Sequence, residues 1–261
     1  MNAEARAARD VVRLRNIGKT FSNGTIALAG LDLNVREGEF LSLLGPSGCG
    51  KSTVLRIIAG LAQPSTGVIN WTTANHERPE LGFVFQESTL MPWTSVFNNV
   101  WLPLRVAGLS KAQAASRIEQ ALALVGLSGF AKSYPRELSG GMKMRVSIAR
   151  ALVLRPTLLL MDEPFAALDE ITRFKLNNDL LRLKAELGTT VVFVTHSVYE
   201  SVYLSTRIAV FAARPGRIIE QIHVDAPYPR NDEFRHTPQY AESCRAASHA
   251  LTSAMDSEDR L

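Results

Sequence analysis

The stretch "FLSLLGPSGCGKSTVLRIIAGL", residues 40–61, sets a glycine-rich loop between a short apolar run and an amphipathic one. Gly45, Gly50, Lys51 and Ser52 fill every fixed position of the pattern G-x-x-x-x-G-K-[ST]. Such a loop needs a strand leading in and a helix leading out, so that successive backbone N–H groups curl round a di- or triphosphate at the helix N-terminus. Lys51 would neutralise the β- and γ-phosphates, and the Ser52 hydroxyl is placed to ligate Mg²⁺. Pro46, Ser47, Gly48, Cys49 and Thr53 complete the nucleotide loop. The plain alternative is a glycine turn that merely joins strand to helix, against which the Lys-Ser pair and the flanks both count. A serine-hydrolase elbow at Ser47 would need the second glycine of G-x-S-x-G, which "GPSGC" lacks. Cys49 sits near a helix N-terminus, where a thiolate is favoured, or is simply a small residue that fits the loop.

The remaining chain supplies the sheet that the loop requires. Continuous apolar runs at Phe40 to Leu44, Leu158 to Met161 and Val191 to Val194 read as strands covered on both faces, as in parallel sheets. Helical patterns alternate with them, at Lys51 to Leu61 and on a face of Leu176, Leu180, Leu183 and Leu187 that stops at Gly188. This order predicts an α/β fold with right-handed crossovers. The first forty residues, punctuated by "SNG" and "REG", read as an antiparallel β segment. Residues 88–155 read as a helical subdomain, with Ser110 capping "KAQAASRIEQALAL". "TRIAVFAARPGRIIEQIHV" predicts a hairpin turning at Pro215 and Gly216; "DAPYPRNDEF" then breaks regular structure, before a short helix and a frayed end. The fold class is α/β: a phosphate-loop NTPase core of mostly parallel sheet flanked by helices. It spans residues 1–225, with 226–261 as a short C-terminal extension.

Several function classes are disfavoured. A net charge of +4 from 29 basic and 25 acidic residues contains no compact Lys/Arg block, so no nucleic-acid partner is expected. His76, His196, His223, His236 and His249 show no metal-ligand pairing, which argues against a structural metal. Cys49 and Cys244 stand in unlike contexts, with no disulfide framework and a reducing compartment implied. The charged start "MNAEARAARDVVRLR" lacks a secretory core, and no apolar run approaches the roughly 20 residues of a membrane span.

Two further stretches carry chemistry. "LLLMDEP" ends a buried strand in paired acids: Asp162 would hold Mg²⁺ and Glu163 would orient and deprotonate an attacking water, unless the pair only caps the next helix. "ELSGGMKMR" opens a helix with Ser139, Gly140 and Gly141, although each glycine costs about 1 kcal/mol there relative to alanine. That start is either a plain N-cap or a place for an anion to reach unpaired N–H groups.

Together these motifs resemble the ATP-binding subunit of an ABC transporter, over roughly Val11 to Val224 and in the family's order. The resemblance implies ATP and Mg²⁺ as cofactors, and catalytic roles for Lys51, Gln86 ("FVFQE", the Q-loop), Glu163 and His196 ("VTHS", the switch histidine). It implies Mg²⁺ contacts by Ser52, Gln86 and Asp162, adenine stacking on Phe21 in "KTFSNG", and a D-loop at Asp169. Ser139, Gly140, Gly141 and Met142 would form a signature acting in trans, so that two copies pack head to tail around two ATP molecules. Met142 and Met144 depart from the usual glutamines, which puts in doubt only contacts made by the missing amides.

The same resemblance implies partners. An integral membrane permease would dock near Gln86 to Trp101, where Leu90, Met91, Pro92, Trp93, Phe97 and Trp101 offer apolar anchors for a coupling helix, and an extracytoplasmic solute-binding protein would complete the system. The location implied is the cytoplasmic face of a bacterial inner membrane. "LMPW", "PFAALDE" and "APYPR" resemble the branch serving nitrate, sulfonate and taurine import, whose relatives also carry bicarbonate, cyanate or thiamine-related pyrimidines. The expected activity is ATP hydrolysis driving uptake of a small, anionic solute. The alternatives are an exporter subunit or a soluble ABC-type ATPase in nucleic-acid maintenance.

Overall fold

A computed structural model describes residues 9–72, 78–212 and 215–256. The first eight residues, His76 and the last five, where a frayed end was expected, lie outside the described residues. Two compact units emerge, Met1–Pro79 with Thr189–Leu261, and Glu80–Gly188.

In the first unit, β1 (Asp10–Thr20) and β2 (Ile26–Arg36) form the expected antiparallel pair, joined by the turn at Phe21 to Thr25. A third strand, β4 (Thr66–Trp71), adds to β1 on its other edge. The sequence does not announce it, because Val68 points to solvent and Gly67 interrupts the alternation. Alongside lie β7 (Thr190–Thr195), β3 (Phe40–Leu44) and β8 (Arg207–Ala212), mutually parallel, with β9 (Arg217–His223) antiparallel to β8 as the predicted hairpin. Every residue of β3, β7 and β8 is buried, as their largely apolar sequences imply.

α1 runs Lys51–Ile58, three residues short of the expected Leu61, because the chain leaves the helix through Gly60 in a left-handed conformation (φ 69°). α6 (Val198–Leu204) follows β7. The expected short terminal helix is α7, a 19-residue helix over Pro238–Asp256. Its inner stripe of Tyr240, Cys244, Ala247, Ala250 and Ala254 is small and easily missed as a hydrophobic period. Between β9 and α7 the chain is irregular apart from a short turn of 3₁₀ helix, and it is anchored by Arg230. This buried guanidinium donates to the carbonyls of Val202, Tyr203 and Ser205 at 2.7–3.0 Å, closing the C-terminal end of α6.

The entrance to β3 holds a buried ion pair. Arg207 Nη2 and Nε approach the Glu39 carboxylate at 2.8 and 3.1 Å, and the remaining guanidinium donors reach Asn34 O and Gln221 Oε1. Removing one partner strands a charge, so Glu39→Ala is expected to lower unfolding free energy by about 3–5 kcal/mol, read by chemical denaturation. The Glu39→Met, Arg207→Met double variant should recover much of that loss.

The second unit contains the parallel pair β5 (Leu81–Val84) and β6 (Leu158–Asp162). It also contains α2 (Val96–Val106), α3 (Lys111–Leu124), α4 (Gly140–Leu152) and α5 (Glu170–Leu187); α4 packs against β5, and α2 and α3 pack on α4. Ser110 caps α3 as expected, in a reciprocal box with Gln113. α5 buries Leu176, Leu180 and Leu183 and ends at Gly188 (φ 64°). β5 is four residues long and contains a glycine, too brief for a strand pattern. Among the described residues, no helix is long and apolar enough to cross a membrane.

Candidate active site

In the first unit, the phosphate loop leaves the carboxyl end of β3, and Leu44 pairs with Thr195 at the end of neighbouring β7. Gly45 and His196 therefore emerge side by side at one sheet edge, the place where open α/β sheets bind ligands. Gly50 adopts φ 93°, and a Cβ there would lie 2.8 Å from Ala27 O on β2, so both conformation and packing demand glycine. Ser47 and Gly48 are exposed, Pro46, Ser52 and Thr53 partly so. Lys51 is 3% exposed, and its ammonium donates to Gly45 O and Pro46 O at 2.8 Å each. The loop thus holds its cation on its own carbonyls beneath the open stretch of backbone.

Cys49 is buried, with burial pushing its thiol up from the ordinary value; it is a small packing residue, and the thiolate alternative falls away. The Phe21 ring is 44% exposed at the β1–β2 turn, with the Lys19 ammonium 5.6 Å from its centroid. β2, which begins just beyond that turn, is the strand that backs Gly50. His196 is exposed, on a turn braced by Thr195, whose hydroxyl donates to Glu200 at 2.6 Å and accepts from Ser197 N at 3.0 Å.

In the second unit, β5 and β6 repeat the arrangement. Val84 pairs with Met161, so the exits of the two strands deliver Gln86 and the Asp162–Glu163 pair to one edge. Asp162 is buried at 6% exposure, Glu163 is half-buried and Gln86 is exposed. Glu163 has φ 44°, a conformation a glutamate rarely adopts and one that clusters where side chains are aimed for function.

Ser139 is the N-cap of α4, its hydroxyl accepting from Met142 N at 3.3 Å. A Cβ on Gly141 would stand 2.7 Å from the Thr172 methyl in the first turn of α5. Asp169 caps α5 by accepting from Thr172 N at 2.9 Å, a hydrogen bond that holds its carboxyl below the ordinary carboxylate range. In the Ser-Gly-Gly start the serine caps the helix and Gly141 makes a close helix contact, whereas Gly140 is exposed and has no such steric demand. Met144 is buried, which explains an apolar residue there; Met142 is half-exposed.

The second unit also contains a groove of about 480 Å³, lined among others by Phe83, Phe85, Leu102, Pro103, Val106 and Arg150. Of the apolar anchors expected between Gln86 and Trp101, none lines it. Asn99, fully buried, ties the backbone of Met91, Thr94 and Ser95 by four hydrogen bonds, and Trp101 donates its indole N–H to Leu109 O. Trp93 remains 77% exposed.

Residues 28–166 match the ABC transporter family. That span covers more than half of the chain. The chain belongs to the ABC transporter family. An aliphatic sulfonates import ATP-binding protein of Pseudomonas syringae is 45% identical, over 90% of this chain and 92% of that protein. A nitrate import ATP-binding protein of Synechococcus elongatus is 46% identical over 82% of this chain and 34% of its own length. A dimeric ATP-binding cassette solved in a post-hydrolysis state with ADP and Pi superposes with a TM-score of 0.72 at 35% identity, covering 83% of this chain and all of that one. The chain is an ABC-type ATPase with a phosphate-loop NTPase fold. Sequence reasoning missed Asn99, Thr172 and Arg150 in this ABC subunit. Their work is contact between elements, and no residue pattern within one element reports it.

Proposed function

We propose that this ATPase powers import of a small anionic solute of the nitrate or sulfonate kind, through permease subunits at the cytoplasmic face of a bacterial inner membrane. The observation carrying the reading is the pair of strand edges: one delivers Lys51, Ser52 and His196, the other Gln86, Asp162 and Glu163. ATP would lie on the backbone N–H groups of the loop, its β- and γ-phosphates neutralised by Lys51 and its adenine against Phe21. Lys51 would exchange carbonyl partners for phosphate oxygens with little movement, since its ammonium is already held within the loop. Glu163 would take a proton from the attacking water, and His196 would contact the γ-phosphate. Ser52, Gln86 and Asp162 offer the oxygen donors that suit Mg²⁺, which would spread the charge developing on the phosphates. Two copies would close head to tail, with Ser139, Gly140 and Gly141 presented to the partner's γ-phosphate and Asp169 beside them. The apolar groove at Phe83, Phe85 and Val106 would receive the permease's coupling helix.

The names of the two import relatives support the solute class. Purification of the chain with its membrane partners tests it: a multi-span permease and a binding protein loaded with nitrate or a sulfonate are expected. A permease that takes the solute from the cytoplasm would overturn import. Met142→Gln should change ATP turnover by no more than about tenfold, equal to ~1.4 kcal/mol, because the backbone donors and the Ser139 hydroxyl are untouched. A steady-state phosphate-release assay reads this.

A further inference from the structure

Arg150 lies in the last turn of α4, the helix that opens at Ser139, and its side chain lines the apolar groove. Outside its own helix, every hydrogen bond it makes among the described residues goes to two consecutive residues just past Gln86. The guanidinium donates to Ser88 O at 3.0 Å, Thr89 O at 2.8 Å and Thr89 Oγ1 at 2.7 Å. Arg150 is half-buried and Thr89 exposed, and among the described residues the guanidinium is held by neutral acceptors rather than a carboxylate. Thr89 itself has φ 45°, a left-handed conformation that is a genuine outlier for a β-branched residue and persists only where its surroundings hold it. Three hydrogen bonds from one planar guanidinium thus converge on a strained loop position and its neighbour.

We propose that Arg150 is a positioning residue for hydrolysis: it fixes the backbone at Ser88 and Thr89, and so the placement of Gln86, relative to the helix that carries the signature. The proposal rests on the reading of Gln86 as part of the ATPase site. The groove shares Thr89 and Arg150 with this clamp, so an occupant of the groove would press on the same two residues. Lysine has the charge but a single donor centre, and cannot serve two carbonyls and a hydroxyl with the planar fork of arginine.

The test compares Arg150→Lys, Thr89→Val and Gln86→Ala in the full chain. Thr89→Val keeps the shape and the backbone strain and removes only the hydroxyl acceptor, so it reports on the clamp even if Arg150→Lys folds poorly. For Arg150→Lys, kcat should fall by about tenfold to a hundredfold, as misplacement of a catalytic group by an ångström does, with KM for ATP steady within about twofold. Thr89→Val should lower kcat by about threefold, the worth of one hydrogen bond. Hydrogen exchange should speed up over residues 86–91 in both variants and stay unchanged over 139–149. If Gln86→Ala slows turnover while Arg150→Lys and Thr89→Val do not, the clamp is wrong and the reading of Gln86 survives. If exchange rises equally through α4, Arg150 is only a packing residue and the proposal fails. If Gln86→Ala itself leaves kcat unchanged, the reading of Gln86 falls and takes the clamp with it.

Discussion

Glu163→Gln is expected to lower ATP turnover by about a thousandfold, in the middle of the range for loss of a general base, while nucleotide binding survives. The amide matches the carboxylate in shape and can still hold water by a hydrogen bond, but it cannot take the proton. Glu163 follows directly on a fully buried strand and has φ 44°, so its direction is set by backbone rather than by a flexible loop. Substitution by glutamine leaves that backbone as it is. With hydrolysis blocked and Mg-ATP present, the head-to-tail pair should accumulate, visible as a shift from one to two copies by sedimentation. A variant that stays monomeric under saturating nucleotide, even with its permease, would sink the trans arrangement; one that still hydrolyses ATP at the original rate would remove Glu163 from the mechanism.

Lys51→Met should weaken ATP binding by about a hundredfold, or ~2.7 kcal/mol, and abolish measurable turnover. The ammonium is 3% exposed and held at 2.8 Å from two loop carbonyls, so it sits where the triphosphate would arrive without having to be gathered from solvent. Charge-assisted hydrogen bonds contribute about 1.5–3 kcal/mol each, and Lys51 would make at least one to phosphate oxygen. Methionine fills the stem's volume, so the melting temperature should move little. Equilibrium titration with a fluorescent ATP analogue distinguishes the outcomes: affinity unchanged within about twofold would mean that Lys51 serves the loop's architecture alone.

The site was legible where one element carries its own signal. The phosphate loop could be read because glycine, lysine and serine are required at fixed offsets between strand and helix, and the strands because burial on both faces leaves an unbroken apolar run. β4 and β5 were not legible: one has exposed Val68 and a glycine in a half-open edge, the other is four residues long. α7 was underestimated because alanine and cysteine make a stripe too small to stand out. The groove at Phe83, Phe85 and Val106 has no signal of its own in the sequence. Asn99 consumes the loop at Met91 to Ser95, and the lining comes instead from β5, the far end of α2 and α4. Such residues meet only after three elements have packed, and single-element periodicity contains no record of the meeting.

The contact between Gly141 and Thr172 has an evolutionary corollary. A Cβ at position 141 would press on the Thr172 methyl, so the sizes of these two side chains are coupled. A lineage that enlarged either side would have to retreat on the other in the same step. Drift at these positions should therefore be correlated, and grafting one segment from a distant cassette without its companion should yield a misfitted interface.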